Sequence, residues 1–167
     1  IVHRLIEPIV AVFLGSDLPG DPHSHTGAPM RAFLNHEVPE WMTSRYRVSA
    51  RAEERAILAI SRGAKDALDA AVDPDGAYGR LGLLVPGRRI RPADLDAIPS
   101  GGDRQMRVAI LAGHYDAANI ATARAARQVL EQAGHAVDFI EVPEGHTQTT
   151  WKNHLGKVLV SLFGPGQ

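Results

Sequence analysis

The chain contains no cysteine, so disulfides, thiolate zinc sites and cysteine nucleophiles are all excluded. The absence does not fix the compartment, because cytosolic and secreted proteins can both lack cysteine; we favour the cytoplasm and keep secretion as the alternative. Lysine is scarce and occurs only at positions 65, 152 and 157. The net charge of −1, without a long basic run, argues against nucleic-acid binding. No apolar stretch approaches the ~20 residues that span a bilayer, so we expect no membrane insertion.

The rest of the composition is typical of one globular domain. Of the 167 residues, 44% are hydrophobic and 22% are charged, which is enough to bury a core. There is no internal repeat and no linker, so we predict a single domain over residues 1–167. Nothing in the sequence indicates an oligomeric state.

Strand-like and helix-like segments alternate along the chain. The predicted strands are Ile9–Leu14, Arg55–Ile60, Arg80–Val85, Val108–Ala112 and Ala136–Val142. The predicted helices cover residues 30–46, with a break or restart at Pro39, and then 64–72, 118–133 and 151–162. This alternation predicts an α/β fold, a three-layer sandwich in which a mostly parallel sheet has helices on both faces.

A serine lies at the corner between the second predicted strand and the helix that follows it. In Ala59-Ile60-Ser61-Arg62-Gly63, small residues stand two positions before and two positions after Ser61. The pattern is typical of a nucleophile elbow, in which a tight turn lifts the hydroxyl out at the carboxyl end of a strand. The backbone N–H of Arg62 would then face the reacting carbonyl from the first turn of a helix, where negative charge is favoured. A simple capped strand–helix junction is the alternative.

A nucleophilic serine needs a base and a group that orients the base. Asp116 and His146 each follow a predicted strand, and they complete the chain order Ser, Asp, His that is typical of α/β-hydrolases. Parallel strands bring their carboxyl ends to one edge, which is where open α/β sheets bind ligands. We therefore predict that Ser61, Asp116 and His146 meet at that edge.

Several of these residues have alternative interpretations. His114 is a rival for the base, although it precedes the acid in the chain. Asp116 could instead cap the helix after it, and His146 could cap the terminal helix. Trp151 is expected either in the core between sheet and helix or against the substrate, and His114 is a second candidate for substrate contact.

Two other clusters of polar residues invite a binding role. His23-Ser24-His25 could suggest a metal site, but without a nearby acidic ligand it favours a polar loop, so we predict no metal. Arg88-Arg89-x-Arg91 could bind an anionic substrate group, although such a run is more often a solvated surface. We predict no cofactor.

Three segments together resemble an esterase family of the α/β-hydrolases. Residues 55–85 are similar to its serine corner, Gly113-x-x-Asp116 to its acid-bearing segment, and Glu144-Gly145-His146 with Trp151 to its terminal segment. The family includes enterochelin esterases, feruloyl and acetylxylan esterases, S-formylglutathione hydrolases and mycolyltransferases. This chain departs from the family pattern at three positions, where glycine is replaced by Ala59, Ala64 and Glu144.

The resemblance implies a serine hydrolase that cleaves a small-molecule carboxylic ester through an acyl-enzyme. Ser61 would be the nucleophile, Asp116 the acid, His146 the base and the Arg62 N–H an oxyanion donor. The alternatives are an acyltransferase with the same triad and a non-catalytic binding or scaffold domain. In the family, the strand that Ile9–Leu14 resembles is not the first. We therefore expect the chain to be the C-terminal two-thirds of the full fold, without an amino-terminal portion that supplies a second oxyanion amide.

Overall fold

The computed structural model describes residues 5–15, 27–99 and 104–165. Its strands form one parallel sheet in the order β1-β2-β3-β4, with bounds β1 Ala56–Ile60, β2 Arg80–Leu84, β3 Arg107–Gly113 and β4 Ala136–Val142. Every neighbouring pair is parallel and the register is continuous, from Ala56 opposite Arg80 to Gly113 opposite Val142. All four carboxyl ends therefore lie at the same edge of the sheet.

Helices cover both faces of this sheet. Their bounds are α1 Ala28–Ala32, α2 Val38–Arg45, α3 Ala64–Val72, α4 Pro92–Asp96, α5 Ile120–Gln132 and α6 Gln148–Phe163. The crossover helices α3, α4 and α5 pack on one face, as expected when successive parallel strands are joined with one handedness. The terminal helix α6 packs on the other face. The predicted three-layer α/β fold is confirmed.

Alternation along the strands supplies one apolar layer to each face. Leu83 and Ile110 lie in the cluster under α3 and α5, whereas their neighbours Leu84 and Leu111 lie in the cluster under α6. All four side chains are almost completely buried. Strands buried on both faces are expected to be apolar throughout, and β2 and β3 follow that rule after their first residues, Arg80 and Arg107.

The predicted helix over residues 30–46 is present, but Pro39 changes its form. A π-helical turn, Phe33–Glu37, separates α1 from α2, and within it the Val38 N–H donates to the Phe33 carbonyl five residues back. Pro39 has no N–H to donate, so it is accommodated in the first turn of α2 directly after the widened turn. The proline therefore restarts the helix and does not end it.

The predicted strand Ile9–Leu14 is wrong. Residues 7–15 have no regular secondary structure, and their apolar side chains are exposed, with Phe13 at 92% of its maximal exposure. β-propensity alone does not make a strand, because each strand needs a neighbour for its backbone N–H and C=O groups, and within the described ranges this segment has none. The short helix α4 was not predicted, although Pro92 in its first turn and Asp94 bonding the Arg91 N–H are helix-start signals.

His23 and His25 lie outside the described residues. Across the parts of the chain that are described, no helix has the length and apolarity to cross a bilayer.

Tyr78 gives the fold a specific sensitivity to alkaline pH. Its hydroxyl is buried and donates to the Leu34 carbonyl at 2.6 Å, and burial raises the pKa of Tyr78 to about 12. The unfolded chain ionises this group near its ordinary value of 10.0. The stabilisation is therefore complete below pH 10 and is lost as the pH rises toward 12.

We expect the unfolding free energy to fall between pH 10 and 12 by up to about 1.4 kcal/mol per pH unit because of Tyr78. Chemical denaturation of the wild type and Tyr78→Phe across this range measures the effect as the difference between the two slopes. Tyr46→Phe is the control, because Tyr46 is 47% exposed. Identical slopes for the wild type and Tyr78→Phe would show that ionisation of this hydroxyl does not limit stability.

Candidate active site

Ser61 occupies a strained turn at the carboxyl end of β1. It opens the 3₁₀ turn Ser61–Gly63, which leads directly into α3, and its φ of 52° is rare for a residue other than glycine. A Cβ placed on Gly63 would lie 3.5 Å from the Ala59 Cβ, which is an ordinary contact. Alanine at position 59 therefore fits the turn, and this departure from the glycine pattern leaves its shape intact.

Asp116 lies just beyond β3 and is almost completely buried. Its side chain is 6% exposed, and its backbone carbonyl accepts bonds from the N–H groups of Asn119 and Ile120. The N-cap residue of α5 is Asn119. The carboxylate of Asp116 is directed at His146 and at the Asn119 amide, so the alternative that Asp116 merely caps α5 is wrong.

The loop after β4 folds back over the end of β3. The N–H of His114 donates to the Val142 carbonyl at 2.7 Å, and the N–H of Tyr115 donates to the Glu144 carbonyl at 2.9 Å. A Cβ on Gly113 would lie only 2.7 Å from the Glu144 carbonyl oxygen and 2.8 Å from that of Gly145. Glycine at position 113 is what allows this approach, which carries His146 away from β4 and toward β1.

The three predicted residues meet at this edge. Ser61 Oγ lies 2.7 Å from His146 Nε2, and His146 Nδ1 lies 2.7 Å from Asp116 Oδ2. The pairs are 85 and 30 residues apart in the chain. The imidazole therefore touches the hydroxyl with one ring nitrogen and the carboxylate with the other.

The helix that follows His146 has its own cap. Thr147 is the N-cap residue of α6, and its hydroxyl accepts a bond from the Thr150 N–H. The interpretation of His146 as a helix cap is therefore wrong, because its ring points at Ser61 and Asp116.

His114 and Trp151 are placed differently from each other. His114 Nδ1 lies 2.6 Å from Glu141 Oε1, so His114 is paired with Glu141, and the ring that reaches Ser61 belongs to His146. Glu141 and Asp138 are both exposed on β4. Trp151 packs against the cluster under α6, and its ring centroid is 6.2 Å from that of His146 in an edge-to-face arrangement. Trp151 is thus both a core residue and a neighbour of the site.

Asn119 lies at the start of the predicted helix over residues 118–133, and the structure places its side chain against the site. Its Nδ2 donates to Asp116 Oδ1 at 2.8 Å, and its Oδ1 accepts from the Arg88 N–H at 3.2 Å. A Cβ on Gly87 would lie 3.8 Å from that same oxygen and 3.9 Å from the Ser61 carbonyl. The signal in the sequence is an amide three residues after Asp116, but only the fold shows that the Asn119 side chain points back toward Asp116.

Glu144, which replaces a glycine of the family pattern, is paired with α6. Its Oε1 lies 2.9 Å from His154 Nε2, and hydrogen bonding to His154 is the main reason that the pKa of Glu144 lies below its ordinary value. Glu144 Oε2 and His154 Nδ1 are buried and have no partner among the described residues. The pair attaches the loop that carries His146 to the terminal helix.

The charged surface beside the serine turn contains a separate cavity. A cavity of about 350 Å³ is lined by Gly27, Lys65, Asp66, Asp69, Arg88, Arg89 and Arg91. Arg88 and Arg89 are exposed and Arg91 pairs with Asp94, so this run lies on the solvated surface. Burial raises the pKa of Asp66, with Arg89 opposing the shift. Within the described ranges, no group of three histidine or acidic side chains is arranged to hold a metal ion.

No protein-family model and no curated protein sequence matches the chain. Solved structures do match. An enterochelin esterase from Shigella flexneri superposes with a TM-score of 0.69 at 18% identity, over 81% of this chain and 37% of the esterase. A CE1 ferulic acid esterase from the anaerobic fungus Anaeromyces mucronatus gives a TM-score of 0.68 at 16% identity, over 87% and 59%. Another ferulic acid esterase gives 0.59 at 15%, over 79% and 60%.

These comparisons define the fold. The chain has the α/β-hydrolase fold of these esterases, as the three resembling segments predicted. It spans between 37% and 60% of their lengths. At 15–18% sequence identity, the similarity shows a shared backbone fold.

The close approach at Gly113 predicts a sharp difference between two glycines. We expect Gly113→Ala to lower the unfolding free energy by about 1–3 kcal/mol, because the new methyl group would collide with backbone. It should also lengthen the distance from Ser61 Oγ to His146 Nε2. Gly145→Ala is the matched control, because a Cβ there has no heavy atom of the described residues within 4 Å. Thermal unfolding and a crystal structure measure the two effects, and equal behaviour of the two variants would contradict the steric argument.

The Glu144–His154 pair predicts a sensitivity to acid. A carboxyl whose pKa is lower in the folded chain than its ordinary 4.5 stabilises the fold above pH 4.5 and loses this contribution as the pH falls. We therefore expect the stability of the wild type to decrease more steeply below pH 4.5 than that of Glu144→Gln in urea titrations. Glu131→Gln, which removes a carboxylate from a surface pair with Arg127, tests whether the loss of another glutamate carboxylate changes the slope below pH 4.5 in the same way. A wild-type curve parallel to that of Glu144→Gln would refute the assignment.

Proposed function

We propose that the protein is a serine hydrolase that cleaves a carboxylic ester through Ser61, His146 and Asp116. The observation that carries the proposal is the pair of 2.7 Å contacts that join a hydroxyl, an imidazole and a buried carboxylate. A nucleophile in contact with a base, and a base in contact with an orienting acid, form the arrangement that serine hydrolases on unrelated folds share. The shared fold with enterochelin and ferulic acid esterases supports the same class of reaction.

In the first half of the reaction, Ser61 Oγ attacks the ester carbonyl carbon and His146 Nε2 takes the hydroxyl proton. Asp116 Oδ2 accepts from the Nδ1–H of His146, which selects the tautomer with a free Nε2 and stabilises the charged ring. The tetrahedral intermediate then collapses. The bond to the leaving alcohol breaks, and that alcohol receives the proton from Nε2. The acyl group remains on Ser61 as an ester.

In the second half, water replaces the alcohol. His146 Nε2 takes a proton from water as its oxygen attacks the acyl carbon, and it returns the proton to Ser61 Oγ when the acid leaves. An alcohol in place of water would make the same site an acyltransferase, which is the alternative activity for these three residues.

The Arg62 N–H is the proposed donor to the developing oxyanion. It lies in the first turn after Ser61, where backbone N–H groups have no acceptor within the helix. The partial positive charge at the start of α3 acts in the same direction. An oxyanion donor of this kind is worth about 10²–10³ in turnover.

The proposed substrate is a small-molecule ester that reaches His146 from the solvent side. The His146 side chain is 32% exposed, so the reacting edge is open. Trp151 presents an aromatic surface beside the ring, and the His114 ring is 56% exposed beyond β3. We propose that these two side chains contact the acyl or alcohol part of the ester. No cofactor is required by the chemistry.

The first test is the loss of ester hydrolysis on removal of the nucleophile. We expect Ser61→Ala and His146→Ala each to reduce the turnover of p-nitrophenyl acetate by about 10⁴-fold or more, since the two residues act as one unit. A fluorophosphonate probe should label the wild type at Ser61, as located by peptide mass mapping, and should not label Ser61→Ala.

His114→Ala is the matched control, because it removes a histidine at the same edge that is paired with Glu141. Its kcat should stay far above that of His146→Ala, and loss of the proposed contact with the ester should appear as a higher KM. Hydrolysis that survives unchanged in Ser61→Ala would overturn the assignment of the nucleophile. A catalytically silent wild type that the probe does not label would favour the non-catalytic binding domain.

A further inference from the structure

We propose that Asn119 is a positioning residue that fixes the Asp116 carboxylate in the orientation that His146 requires. The inference rests on the proposed function, because it assigns a task within the same site. It starts from the two hydrogen bonds of one side-chain amide, which join the loops that follow β2 and β3.

The orientation of the Asn119 amide follows from its partners. The backbone N–H of Arg88 can only donate, so the atom that faces it at 3.2 Å must be Oδ1. This leaves Nδ2 on the other side, 2.8 Å from Asp116 Oδ1, and a carboxylate can only accept. The two bonds are mutually consistent in one amide orientation and would both be lost in the flipped one.

The amide and the imidazole then share one carboxylate. Asn119 Nδ2 donates to Oδ1 of Asp116, while His146 Nδ1 lies 2.7 Å from Oδ2 of the same group. The two nitrogens are 3.3 Å apart, as expected for two donors side by side on one acceptor group. The bond to Oδ1 prevents the carboxylate from rotating about its Cβ–Cγ bond, so Oδ2 stays directed at the ring.

The ordinary reason for asparagine at this position does not apply. Asn119 is the N-cap residue of α5, where its side chain would usually accept a bond from the first turn of the helix. In this chain, no side-chain cap bond is formed, and φ and ψ of −126° and −15° turn the side chain back toward Asp116. The Asn119 amide therefore makes no capping bond and instead donates a hydrogen bond to Asp116.

The other bond of the amide sets its position relative to the nucleophile. Val85, directly after β2, has a φ of 43°, which is rare for a β-branched residue. The chain then passes through Gly87 close to the Ser61 carbonyl. The next N–H, that of Arg88, is the one that holds Asn119. The amide is thus the link between the backbone beside the nucleophile and the carboxylate behind the base.

Two substitutions separate positioning from a structural role. Asn119→Ala removes both bonds of the amide. Asn119→Asp keeps an oxygen for the Arg88 N–H and a side chain suited to the N-cap, but it replaces the donor to Asp116 with a second carboxylate oxygen. A structural role predicts normal turnover for Asn119→Asp. Positioning predicts that Asn119→Asp fails as badly as Asn119→Ala, or worse, because like charges then face each other.

We expect kcat for p-nitrophenyl acetate to fall about tenfold to a hundredfold in both variants, with KM little changed, because a hydrogen bond to a charged group is lost. Thermal unfolding of the two variants, measured in parallel, separates turnover from stability. Wild-type kcat in Asn119→Asp would overturn the proposal. If Ser61→Ala hydrolyses the ester as fast as the wild type, the proposed function is overturned. The NMR measurement described next then tests the positioning role without any activity.

That measurement needs no activity. The proton between His146 Nδ1 and Asp116 Oδ2 should give a far-downfield NMR resonance, which is assigned by its disappearance in His146→Ala. We expect the resonance to shift or broaden in both Asn119→Ala and Asn119→Asp, and to stay unchanged in His114→Ala. A resonance with the wild-type position and width in both Asn119 variants would show that Asp116 keeps its orientation unaided, and the proposal would be overturned.

Discussion

The fold-back of the loop after β4 over the end of β3 is the constraint on which the site depends. A parallel sheet brings all carboxyl ends to one edge, but β1 and β4 are still separated by two other strands, and each step across a sheet is about 4.8 Å. A serine after β1 and a histidine after β4 would not meet if their loops rose straight from the strands. The bond from the Tyr115 N–H to the Glu144 carbonyl of the returning loop, over a bare Gly113, closes that gap.

Strained backbone after β1 and β2 also helps to bring the residues of the site together. Ser61 and Val85 are the two residues other than glycine with positive φ in the described ranges, and they directly follow the neighbouring strands β1 and β2. Such conformations cost about 1–3 kcal/mol each and persist only where the surroundings enforce them. Here the enforcement is visible, since Val85 is fully buried and its N–H donates to the Leu111 carbonyl on β3. Packing in the core therefore holds the chain after Val85 in place, beside the turn that contains Ser61.

Prediction from the sequence succeeded where a local pattern carries the information. After their first residues, strands β2 and β3 are apolar runs, and the apolar stripe of α5 is followed by Gly134, whose φ is 90°. The order Ser61, Asp116, His146 places each residue after a strand. Prediction failed where the information is tertiary. Ile9–Leu14 has the composition of a strand but no neighbour among the described residues, and the Asn119 side chain is held by a backbone N–H 31 residues away.

The burial of Asp116 explains why so much of the neighbourhood is polar and fixed. A carboxylate that is 6% exposed is tolerated only when donors replace the water it has lost, and both of its oxygens have one, from Asn119 and from His146. The same desolvation strengthens its attraction for a charged imidazole, because little water remains to screen it. His146 and Ser61 stay partly open to solvent, as the proposed reaction with an ester requires. Asp116 is therefore the buried end of a site whose hydroxyl and imidazole are open to solvent, and the half-buried amide of Asn119 supplies one of the two donors that this burial requires.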